Sequence, residues 1–149
     1  MPIKSFRGKI LDGKQDTIVL HTNNGSTGYK IVKFQILPTN TGAGTNEALV
    51  SIFKVSQSTA PQDVDFSDNT LLGAAFYLRD QGTVAIATNP IVVFDGEIFN
   101  QDIYVNYSDA QGSTGEMNYY IELEQVKLDL NENTVATLKD IRNIKAQNV

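Results

Sequence analysis

The stretch MNYYIELEQVKL, residues 117–128, alternates strictly between two kinds of side chain. Tyr119, Ile121 and Leu123 fall on one side, and Tyr120, Glu122 and Glu124 on the other. A period of two fits a strand with one buried and one wetted face, and it does not fit a helix. Shorter runs elsewhere repeat the signal. KSFRGKIL places Phe6 and Ile10 together, and DTIVLHT is rich in β-branched residues. YKIVKFQIL sets Val32, Phe34 and Ile36 against Lys33 and Gln35. EALVSIFKV groups Leu49, Phe53 and Val55, and DIYVNYS groups Ile103, Val105 and Tyr107. LLGAAFYL and TVAIAT suit a hairpin around RDQG, and PIVVF follows Pro90, which suits a strand start.

Turn residues separate these runs, and no strand-helix alternation is visible. Roughly eight to nine strands are predicted, which fits a two-sheet architecture. The expectation is an all-β, antiparallel two-sheet β-sandwich, of which the jelly roll is one form. A chain of 149 residues can bury one substantial core. The predicted division is a sandwich domain over 1–132 and a C-terminal docking segment over 133–149. In that segment Val135, Leu138, Ile141 and Ile144 recur three apart. A short helix would gather them in a drifting stripe. Thr and Val are weak helix formers, so an extended tail is the alternative.

Charge and cysteine content narrow the chemistry. The net charge of -5, with no Lys/Arg cluster, argues against a nucleic-acid partner. The absence of cysteine excludes disulfides, thiolate metal sites and cysteine nucleophiles. No apolar run approaches the ~18 residues of a membrane span, and the first residues do not read as a secretory signal. The expected product is soluble, with no membrane partner.

Four stretches carry candidate chemistry. In HTNNGSTGYK, glycines frame hydroxyl residues ahead of a lysine, but the spacing is not that of a phosphate loop. The residues after the second glycine have strand period, so no helix N-terminus faces an anion. Asn24-Gly25 reads instead as a hairpin connection. His21, the single histidine, lacks a second imidazole for a metal site; an acid/base role would need a carboxylate partner brought by the fold. Asp63, Asp65, Asp68 and Asn69 offer oxygens for calcium, but Phe66 and Ser67 break the EF-hand pattern, so a solvated loop is expected. Glu122 and Glu124 lie about 6.8 Å apart along one strand face. That spacing approaches a glycosidase pair, but a charged solvent face is the common explanation for alternating glutamates. The tyrosines and phenylalanines suit inward packing, with a sugar platform as the rival use. No cofactor and no metal is expected.

Read together, MPIKSFRG, LHTNNGSTGYKIVKFQI, VDFSDNTLL, FNQDIYV, NYYIELE and TLKDIRNIK resemble small virion structural proteins of marine tailed bacteriophages, including those of cyanobacteria. The resemblance spans nearly the whole chain and brings no catalytic residue. It implies a non-enzymatic part of the particle, assembled in the host cytoplasm beside other virion proteins such as the major capsid protein or tail proteins. The expected role is a capsid decoration or cement protein held as a homo-oligomer. The expected assembly residues are Ile3, Phe6, Val135, Leu138, Ile141 and Ile144. The competing expectations are a tail or head-fibre module that binds host glycans, and a carboxylate-dependent glycan hydrolase.

Overall fold

The computed structural model describes residues 2–22, 25–39, 46–80, 86–87, 91–110, 115–129 and 137–138. Among them the chain runs β1 (Ile3–Leu11), β2 (Gln15–Ile18), β3 (Thr27–Pro38), β4 (Asn46–Phe53), β5 (Leu71–Asp80), β6 (Ile86–Ala87), β7 (Ile91–Phe94), β8 (Ile103–Asp109) and β9 (Glu116–Lys127). All pairings are antiparallel. One sheet has the order β1-β9-β3, and the other β2-β8-β4-β5. β6 and β7 both pair with β5 along its far edge. The protein is the expected all-β two-sheet sandwich. Thr137 and Leu138, the described residues of the C-terminal segment, have helical backbone.

The period of two produces the core where the sequence placed it on β9. Met117, Tyr119, Ile121 and Leu123 point inward and are buried. They meet Ile10 from β1, Ile31, Phe34 and Ile36 from β3, and Ala48, Val50, Ile52, Ile103, Val105 and Tyr107 from the facing sheet. On β3 the strict alternation fails. A bulge between Ile31 and Lys33 leaves Val32 as the extra residue, so Ile31 and Phe34 both face the core.

β4 departs from the sequence reading for a different reason. Its core side carries Ala48, Val50 and Ile52, while Leu49, Ser51 and Phe53 are buried on the opposite face. The 54–70 connection covers that outer face. At one edge Gln15 donates to Ser56 Oγ at 2.9 Å and accepts from the Gln57 amide at 2.7 Å. At the other, Gln62 and Val64 border a groove whose floor includes Leu49 and Phe76. A strand buried on both sides shows no polar face for a pattern to reveal.

Two local devices tie the sheets together. Gly13 adopts φ +78 in the β1–β2 turn, a conformation glycine takes without a Cβ penalty. The turn is pinned to β8, because the Gly13 amide donates to the Tyr107 carbonyl and the Asp109 amide to Asp12. Phe99, fully buried, exchanges two backbone hydrogen bonds with Tyr29, so the connection from β7 to β8 runs along the edge of β3. The two rings stack with centroids 6.5 Å apart.

Candidate functional site

The fold gives His21 the carboxylate partner that the sequence alone left open. After β2 the chain turns, and Asp102 at the foot of β8 accepts from the Leu20 amide (2.8 Å), the His21 amide (3.0 Å) and His21 Nδ1 (2.7 Å). Partial burial alone would raise the Asp102 pKa, but these bonds and the nearby imidazole hold its carboxyl below the usual carboxylate range. His21 itself is about half exposed and borders neither described groove. One carboxylate oxygen closing two backbone amides is the geometry of a loop clasp.

The other acidic candidates are occupied locally. Asp65 accepts from the Ser67 amide and hydroxyl, which hold its carboxyl below the usual range. Asp68 accepts from the Thr70 amide and hydroxyl in the same way. These are turn-forming bonds, and no three acidic or histidine side chains gather to hold a metal among the described residues. Glu122 accepts from the Tyr120 hydroxyl at 2.8 Å, and Glu124 pairs with Lys30 at 3.3 Å. Both glutamates sit on the open outer face of the three-stranded sheet rather than across a cleft.

Two opposed outer faces remain as candidate interaction surfaces. On the β5–β7 side, register aligns Ile91, Phe76, Leu49 and Ser108 in one row across four strands. Val93 and Ala74 form the next row. The 54–70 connection shields Leu49 but leaves this edge open: Ile91 is 66% exposed and Val93 47%. Val64 and Phe76 are also partly exposed beside them. The face of β1, β9 and β3 is instead polar, with Tyr120 at its centre and Arg7, Lys9, Gln35, Leu37 and Asn118 lining a shallow groove.

Neither a protein-family model nor any curated protein matches the chain. Function therefore has to be argued from these surfaces. Among the described residues no helix is long and apolar enough to cross a membrane.

Of the six sequence-predicted assembly residues, three lie among the described residues. Ile3 and Leu138 are exposed, whereas Phe6 packs partly buried against the core. Val135, Ile141 and Ile144 lie outside the described residues. Thr137 is tied to its own domain, because the buried Asn100 donates to its hydroxyl at 2.9 Å and also to the Gly25 carbonyl. Gly25 has the positive φ expected of the turn, at +65. Sequence reasoning missed Phe76, Ile91 and Val93. The available signal was PIVVF itself: consecutive apolar residues on a strand supply both faces, and only one can enter the core.

Proposed function

We propose that this chain is a non-enzymatic structural protein of a bacteriophage particle, a capsid decoration or cement module held as a homo-oligomer. The observation that carries the reading is the apolar edge formed by Phe76, Ile91 and Val93, bordered by Val64. A short, β-branched edge strand with exposed apolar side chains invites association, and monomeric proteins normally blunt such edges with charge or proline. Here the outward residues of β7 carry no charge. A second copy seated on this face would bury the apolar rows of both subunits, and repeated weak contacts on a lattice would add through multivalency. The resemblance to virion proteins of marine phages supports the same reading. So does the nested strand pairing, β1 with β9, β2 with β8 and β4 with β5. We read it as a jelly-roll winding in which β7 stays on β5.

The test combines solution mass with capsid binding. Light scattering over a range of concentrations should give a closed oligomer. The protein should also sediment with empty capsids assembled from the partner major capsid protein. Ile91→Glu with Val93→Glu should yield a folded monomer that stays in the supernatant. A wild-type chain that is monomeric throughout and ignores capsids overturns the proposal.

A further inference from the structure

We propose that the outer face of β1, β9 and β3 binds an acidic oligosaccharide. The strand register sets three rungs of side chains side by side. Ser5, Glu122 and Lys33 form one, Arg7, Tyr120 and Gln35 the next, and Lys9, Asn118 and Leu37 the third. Neighbouring strands lie about 4.8 Å apart and rungs on one face about 6.8 Å apart, so the patch accommodates a few sugar rings laid flat.

Three features give the patch its chemistry. First, Tyr120 is fixed. Its hydroxyl donates to Glu122 and is also hydrogen-bonded with Ser5, and Lys33 Nζ stands 5.7 Å from the ring centroid. A ring held in place costs little entropy when a ligand stacks on it. Second, Gln35 and Asn118 flank the ring with side-chain amides, which both donate to and accept from sugar hydroxyls. Third, among the described residues the charged side chains lining the groove are Arg7 and Lys9, on a chain with net charge -5. Lys9 shares its charge with Glu116 at 3.5 Å, which leaves Arg7 as the main carboxylate or sulfate contact. Glu122 within the patch and Glu116 beside Lys9 disfavour the denser phosphates of a nucleic-acid strand. The apolar β5–β7 edge lies on the opposite sheet, so both faces can be engaged at once.

The test titrates the whole chain with an oligogalacturonate hexamer and a heparin-derived hexasaccharide. A neutral cello-oligosaccharide of the same length and an oligothymidylate serve as comparisons. Saturable binding of an acidic sugar is expected, weakened by added salt, with amide shifts confined to β1, β3 and β9. Arg7→Gln and Gln35→Ala change exposed side chains, and Arg7→Gln should weaken binding at least about tenfold. Four results overturn the proposal: no saturable binding of either acidic sugar, equal binding of the neutral one, tighter binding of the oligothymidylate, or an Arg7→Gln chain that binds like wild type.

Discussion

Tyr119, on the central strand of one sheet, donates its hydroxyl to Asp16 on the edge strand of the other, at 3.0 Å. The bond closes the sandwich at its β1–β2 corner. It is reached across Gly8, where a Cβ would stand 2.6 Å from the Tyr119 hydroxyl oxygen. Glycine at that point makes room for a buried phenol whose polar tip still finds a carboxylate.

Burial first, and then the charge and hydrogen bond of Asp16, push the Tyr119 pKa well above the ordinary tyrosine range. Burial and the charges of Asp109 and Asp12 do the same for Tyr107. A raised phenol pKa means that the folded state keeps its proton where the unfolded chain loses it. The stabilisation is complete below about pH 10 and falls as pH rises through the folded-state values. Urea midpoints should therefore stay level up to about pH 9 and drop above about pH 10. The Tyr107→Phe/Tyr119→Phe double variant should show a much smaller drop. An equal drop in that variant would remove the two phenols as the cause.

Gly8→Ala forces its methyl group into the Tyr119 ring, whose Cζ would lie 2.8 Å away. Overpacking of this kind costs about 1–3 kcal/mol. Because the clash is with a single side chain, the cost should shrink in a Tyr119→Ala background. A double-mutant cycle with no coupling between the two sites would contradict the proposed contact.

How much of this was readable in advance depended on how each strand is solvated. β9 has one wet face, so its alternation named its core residues correctly. β4 has none: Leu49 and Phe53 looked like core and instead pack beneath the 54–70 connection, while Ala48, Val50 and Ile52 fill the interior. Val32 was misplaced by a bulge, which leaves no mark on residue type. The Asp102 clasp on His21 joins residues 81 positions apart, and no local pattern predicts such a meeting. The apolar edge was visible only as an unbroken run, and its exposure depended on which strand lay beside it.

Lys54 is buried, with 2% of its side chain exposed, and its ammonium meets Glu97 at 2.9 Å. The pair fastens the start of the 54–70 connection to the segment after β7. Glu97→Ala leaves a buried ammonium without this carboxylate and should cost about 3 kcal/mol in chemical denaturation. Replacing both groups, as Lys54→Met with Glu97→Leu, should recover most of that loss. If the double replacement is no better than Glu97→Ala, the cost lies in packing and not in the loss of the charge partner.

The Asp102 clasp predicts behaviour in acid. Its folded pKa is depressed, so its contribution is present above the ordinary aspartate value of about 3.9 and is lost as pH falls through the folded value. Asp102→Ala should cost about 2 kcal/mol near neutral pH, because two backbone amides lose their acceptor. Asp102→Asn can still accept from both amides, so it should cost less and should flatten the acid limb of the stability profile. An unchanged acid limb in Asp102→Asn would assign that limb to other carboxylates.

Ser51 and Asn106 face each other in register on the outer side of β4 and β8, beneath the 54–70 connection. Both are buried, and Ser51 Oγ and both polar atoms of the Asn106 side chain have no hydrogen-bond partner among the described residues. A buried polar group in that state costs about 1–3 kcal/mol, whereas apolar groups of similar shape in both positions can be neutral or stabilising. Ser51→Ala with Asn106→Leu should therefore stabilise the protein by about 1 kcal/mol. For a chain of this length that raises the melting temperature by about 2–4 °C. Each single change should gain less, since it leaves the other polar side chain in place. A double variant that melts several degrees lower would show that the pair contributes to holding the connection against the sheet. The covered face of β4 would then depend on polar contacts as well as on Leu49 and Phe53.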